Sequence, residues 1–275
     1  MGSEMCIRDR GKINGNVNPN NVIIVAAHYD TWSPVPAISF GAREAVSVAV
    51  LMELARLFKE IRPANSIWFV ALAGYWQALA GSREFVEKYY FSPEVQSGEV
   101  KPWVFIDLGF LDLETKGLSV LPGVGRMYRG VSYYAQSDGA PYRGIALRYE
   151  DIVRKISNYI SQEPLREFLM SANIDPNSFI YIPPSSSPYH SEMLPLSLDS
   201  EPAMIAGCYS FSFGSPFSFK LWRGGLLNDL HEVNASLLRY KIDVIAYIIS
   251  SFANDEFQDW SWEPVSYTHL TLPTN

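Results

Sequence analysis

The chain has 275 residues, 48% of them hydrophobic and 19% charged, with a formal net charge of -7. That composition fits one large globular domain with a sizeable core, and the acidic balance excludes a general binder of phosphate backbones. With only two cysteines, Cys6 and Cys208, there is no disulfide framework and no zinc ribbon, and no apolar run approaches the roughly 18 residues of a membrane-spanning helix.

Both ends read as foreign. "SEMCIRDR" at the start and "VSYTHLTLPTN" at the end resemble translated sequencing-adapter read-through of metagenomic assemblies. Residues 1–10 and 265–275 are therefore expected to be non-native, and residues 11–264 to form a single domain. The reading frame is then expected to be cut on both sides. The lack of an apolar secretory stretch at the N-terminus would say nothing about targeting.

In chain order, "NVIIVAAHYD" predicts a buried strand over Val22 to Ala27 that stops at His-Tyr-Asp. "TWSPVPAISFG", with two prolines and a glycine, predicts a loop. "AREAVSVAVLMELARLFKEI" places Val46, Val50, Leu54, Leu57 and Ile61 at helical spacing and stops before Pro63, which predicts a long amphipathic helix. "SIWFVALA" predicts a second buried strand, "GSREFVEKYY" a short helix, and "PWVFIDLGF" a third strand ending at Asp107. This alternation predicts βαβ units and an α/β fold, with a largely parallel sheet covered on both faces. Function in such sheets collects at the carboxyl ends of the strands, where His28, Asp30, Gly74 to Gln77 and Asp107 fall.

Residues 112–200 are less regular, with helices predicted near 150–161 and 164–172, and read as a lid or insert. "YIPPSSSPYHSEMLPLSLDSE" reads as a long polar loop of the kind that covers sites. "PAMIAGCYSFSF" reads as a further buried strand. "NASLLRYKIDVIAYIISSFAN" reads as a final amphipathic helix with Asn234 as N-cap.

These segments together resemble the di-zinc aminopeptidase family, which spans aminopeptidase Y, bacterial leucyl aminopeptidases and glutaminyl cyclase-like proteins. The resemblance runs from about Asn21 to Asp107 and resumes from about Pro202 to Asn254. It is carried by "VAAHYD", "GAREAVSVAVLMELAR", "LAGYWQALAGSREF" and "VFIDLG", with Gly74, Gln77, Leu79, Gly81, Ser82, Arg83 and Phe85 in register. It implies a three-layer α/β/α sandwich, zinc-exopeptidase-like, around a mixed, mostly parallel sheet.

The family's chemistry needs two zinc ions held by imidazole and carboxylate ligands, and a carboxylate base. Carried over residue by residue, the resemblance implies that His28 and Asp107 are retained metal ligands and that Asp30 orients His28. The bridging carboxylate falls on Arg43 or on Glu44, depending on which end of the segment is aligned; a permanently cationic Arg43 would oppose a metal there. The base falls on Tyr75 and its neighbouring ligand on Trp76, and neither residue type can take those roles at neutral pH. The final histidine falls near Gly225, while Asp229 matches the pattern's aspartate. The losses are concentrated at the ligands, while the scaffold glycines and apolar runs persist.

The expectation is therefore a peptidase-like domain without a working di-zinc site, a non-catalytic binding or structural module of a larger protein. Nicastrin and the accessory subunit of glycosylphosphatidylinositol transamidase offer analogies only. No cofactor is expected. Trp32, Arg43, Tyr75, Trp76, Gln77 and His190 would line the old cleft and meet a peptide or protein partner, not nucleic acid. Membrane attachment would come through flanking segments beyond both ends, and the resemblance implies the extracytoplasmic side. The alternative is an active zinc metallopeptidase with an altered, mononuclear site of His28, Asp107 and Glu44 and with Asp30 or Glu44 as base. A serine hydrolase using Ser185 to Ser187 with His190 lacks the required nucleophile turn. His231 reads as a solvated loop residue, and "GVGRMYRG" lacks the strand and helix of a phosphate loop.

Overall fold

A computed structural model describes residues 7–31, 42–109, 111, 117–122, 143–182, 197–214 and 235–255. Seven strands form one sheet: β1 (Ile7–Ile13), β2 (Asn18–His28), β3 (Asn65–Leu72), β4 (Lys101–Asp107), β5 (Leu118–Pro122), β6 (Ile180–Tyr181) and β7 (Tyr209–Gly214). Their order across the sheet is β1-β3-β2-β4-β7-β5-β6. The central strands β3, β2, β4 and β7 run parallel, β1 and β5 are antiparallel to their neighbours, and β6 is parallel to β5. The expected mixed, mostly parallel sheet is thus present.

The described helices are α1 (Ala42–Ile61), α2 (Ala80–Tyr90), α3 (Pro93–Gln96), α4 (Arg143–Ile160), α5 (Glu163–Ser171), α6 (Pro176–Phe179), α7 (Glu201–Ile205) and α8 (Ala235–Asn254). They cover both faces, because the central strands are apolar on both. Ile23, Val25, Ile67, Phe69, Val104, Ile106, Phe211 and Phe213 point to one core, shared with Leu54, Phe58, Ile156, Val244, Ile248 and Phe252. Their neighbours Val22, Ile24, Trp68, Val70 and Phe105 point to the other, shared with Phe85, Tyr90 and Ala203. The alternation follows from the two-residue period of a strand.

Helix α1 stops where Arg62 turns left-handed (φ 55) and its N–H donates to Phe58 O at 3.3 Å, with Pro63 following.

The structure departs from the sequence pattern at two places. The stretch 202–213, expected to be one strand, is a short helix and a strand, because Pro202 suits a first helical turn and Gly207 (φ 100) reverses the chain before β7. The stretch 7–10, expected to lie outside the domain, is part of β1 and pairs with β3, Arg10 opposite Val70. The Arg10 guanidinium sits 4.5 Å from the Trp68 and Tyr89 ring centroids. The charges of this segment suit its place, since edge strands tolerate charge. Within 112–200, β5 and β6 extend the same sheet, and α4 and α5 pack on its core. Among the described residues no helix is long and apolar enough to cross a membrane.

Candidate functional site

Three neighbouring parallel strands deliver polar side chains to one spot. His28 closes β2, Asp107 closes β4, and Ser212 on β7 lies in register with Asp107. A fourth group comes from the turn before α7. Asp199 Oδ2 lies 3.0 Å from His28 Nδ1, and both residues are 1% exposed. The Asp199 carbonyl accepts from Ser82 Oγ at 2.5 Å.

A chain of buried hydroxyls continues from there. Ser212 Oγ donates to Asp107 Oδ2 at 2.7 Å, Ser200 Oγ and Ser212 Oγ are 2.7 Å apart, and Ser210 Oγ donates to Ser200 O at 2.7 Å. Glu201 Oε1 accepts from Leu198 N at 2.6 Å and holds the turn shut. Gly109 is required beside this group: a Cβ there would sit 2.9 Å from Phe213 O and 3.3 Å from Asp107 Oδ2.

Over the histidine lies Tyr75. Its ring stacks on His28 with centroids 4.3 Å apart and an interplanar angle of 19°, and its hydroxyl donates to Ser197 O at 2.7 Å. Its N–H donates to Asp30 Oδ1 at 3.3 Å. Trp76 meets the Tyr75 ring edge-on at 84°. Both residues ride on a tight turn in which Gly74 (φ 75), Ala78 (φ 60) and Leu79 (φ 57) are left-handed. The turn is closed by Gln77 N–H and Ala80 N–H on Gly74 O. For Ala78 and Leu79 that conformation costs about 1–2 kcal/mol each, so the surrounding contacts must hold it.

Burial alone would lower the His28 pKa. The hydrogen bond to Asp199 and the negative charges of Asp199, Asp107 and Asp30 outweigh it and raise the pKa above the ordinary histidine value. Burial, and then the Asp199 charge, push the Asp107 carboxyl up to about 8, against the opposing effects of His28 and Ser212. Burial, followed by the charges of Asp199, Asp107, Glu201 and Asp30, raises the Tyr75 phenol well above its ordinary range.

The sequence-derived residues therefore fall into three groups. His28 and Asp107 come together, with Tyr75 stacked on the histidine. Asp30 and Trp76 are half-buried, and Gln77 is exposed. Trp32, His190, Ser185 to Ser187, Gly225, Asp229 and His231 lie outside the described residues, as do the side chains of Arg43 and Glu44 on the first turn of α1. Sequence reasoning missed Asp199, Ser200, Ser210 and Ser212. For Ser210 and Ser212 the signal was the alternation in "YSFSFG", since hydroxyls on a buried strand need partners; Asp199 and Ser200 lie in a turn with no such pattern.

A two-zinc centre does not fit the described residues. The resemblance would require carboxylates at Tyr75 and Trp76, and the Tyr75 phenol, with its raised pKa, already donates to Ser197 O. Among the described residues no group of three or more His, Cys, Asp or Glu side chains is placed to hold a metal ion.

A sequence pattern described as Peptidase family M28 matches residues 10–105. A probable zinc metalloprotease of Pyricularia oryzae is 39% identical over 82 residues, which is 28% of this chain and 16% of that protein. Human transferrin receptor protein 2 is 32% identical over 84 residues, or 29% and 10%. Among solved structures, a zinc aminopeptidase from Bacillus subtilis superposes with a TM-score of 0.57 at 15% identity, covering 90% of this chain and 50% of that one. An aminopeptidase from Aneurinibacillus gives 0.56 at 14% identity, covering 93% and 49%. The chain thus spans about half the length of these structures, and its match spans less than a fifth of either curated relative. The resemblance to the di-zinc aminopeptidase family holds: residues 10–105 carry the M28 sequence pattern, and the described sheet and helices carry the zinc-aminopeptidase fold.

Proposed function

We propose that this chain is a peptidase-like domain that binds rather than hydrolyses, a non-catalytic binding or structural module of a larger protein. The observation that carries this reading is Tyr75. Its ring covers the imidazole face and its hydroxyl is tied to Ser197 O, in the position where the family places its base. A phenol held protonated cannot take a proton from water at neutral pH. The partner in this reading is a peptide or protein segment meeting Asp30, Trp76 and Gln77, on the extracytoplasmic side of a membrane. That one relative is named as a receptor supports such a use of the fold.

Two observations favour a second reading, a zinc metallopeptidase with an altered, mononuclear site. A carboxylate on His28 Nδ1 is the arrangement that orients a zinc-bound histidine. Asp107 Oδ1 is buried with no hydrogen-bond partner among the described residues. Glu44 would supply the third ligand, and three protein ligands with one open position suffice.

Zinc content separates the two readings. The full chain is purified without chelator, dialysed against zinc and analysed by mass spectrometry beside the His28→Ala/Asp107→Ala variant. We expect substoichiometric zinc, unchanged in the variant. One zinc per chain, lost in the variant, would overturn the binding-module reading, and aminopeptidase substrates would be assayed next.

A further inference from the structure

The family's pattern assigns the orientation of its first histidine to the aspartate two residues on, which here is Asp30. The geometry points elsewhere. We propose that Asp199 is the positioning carboxylate of His28, and that Asp30 has been redeployed to anchor the turn carrying Tyr75 and Trp76.

Asp199 is buried and held at two points. Its carboxylate lies 3.0 Å from His28 Nδ1, and its carbonyl accepts from Ser82 Oγ. Such a residue has no freedom to drift, so the imidazole it meets inherits that rigidity. Asp30, by contrast, is half-buried, and its carboxylate accepts from the Tyr75 N–H at 3.3 Å. That N–H opens the turn whose left-handed residues need external support. Asp199 thus holds the ring, while Asp30 holds the turn that covers it. A carboxylate can only accept, so Asp199 selects the neutral tautomer with the proton on Nδ1. Steric support alone selects no tautomer, which gives the role its own signature. The assignment is independent of whether the site takes a metal.

The test is nitrogen-15 NMR of the His28 ring in the full chain, at a pH alkaline enough for a neutral imidazole. The wild type is expected to carry the proton on Nδ1, slowly exchanging. Asp199→Leu removes the acceptor and is expected to lose that tautomer preference. Asp199→Asn keeps an acceptor oxygen and is expected to retain it. Asp30→Leu is expected to leave the ring signal unchanged while speeding amide exchange at Tyr75. A wild-type proton on Nε2 would overturn the assignment even if Asp199→Leu fails to fold. Loss of the Nδ1 proton in Asp30→Leu would overturn it too.

Discussion

Removing the Tyr75 hydroxyl and then its ring separates the two things this residue does. In Tyr75→Phe the ring remains stacked on His28, and the bond to Ser197 O is lost. Ser197 is half-buried, so water can replace the lost donor at its carbonyl. The cost then sits at about 1 kcal/mol, near the middle of the range for one hydrogen bond. In Tyr75→Ala a ring only 6% exposed is deleted above a buried histidine. Large-to-small changes of aromatic residues cost about 3–5 kcal/mol, and the cavity opened here borders polar groups that cannot collapse together. The assay is guanidinium unfolding at fixed pH, read as a shift in midpoint with an unchanged m-value. Thermal melting should show a loss of roughly 2–4 °C for the phenylalanine variant and about three times that for alanine. A Tyr75→Ala cost below about 1 kcal/mol would refute the reasoning, because it would mean the ring does not fill the space above His28.

Three further outcomes follow from the same geometry. Ala78→Gly relieves a left-handed backbone at an exposed position and should stabilise the fold by about 0.5–1 kcal/mol in the same unfolding assay. Gly109→Ala places a methyl group 2.9 Å from Phe213 O and should destabilise by about 1–3 kcal/mol, lowering the melting temperature. Asp107 has a folded pKa of about 8, above the ordinary unfolded value, so its neutral form favours folding. That stabilisation is fully present below about pH 4 and fades as the pH rises toward 8, and the raised His28 pKa acts with the same sign. Asp107→Asn mimics the neutral form, so its melting temperature should fall less than the wild type's between those limits.

Much of the frame was legible because apolar runs ending at polar residues mark buried strands. The strand expected over Val22 to Ala27 is the core of β2 (Asn18–His28), "PWVFID" stopped at Asp107 as β4 does, and α1 ended before its proline. The edge strand β1 was not legible, since Arg10 and Lys12 pack across aromatic rings instead of into a core. Within the site, His28, Tyr75 and Asp107 could be placed together because they share strand ends. Asp199 could not, because it reaches His28 from 171 residues away through a turn with no strand pattern of its own. Burial of four serines and two aspartates around one imidazole is a tertiary fact, invisible to any local period.

The strand order also sets a schedule for synthesis. The segment through Asp107 completes β1, β3, β2 and β4, one contiguous half of the sheet. The outer edge of β4 is then bare, because its neighbour β7 begins only at Tyr209. At roughly 5–20 residues per second, the ribosome takes several seconds to deliver that strand. For that interval Val104 and Ile106 border an open edge and an uncovered face awaiting α4 and α8. A nascent chain in this state is a natural client for chaperones and prone to pair with its own copies. Yield on expression should therefore respond more to translation rate across residues 108–208 than to any change around His28.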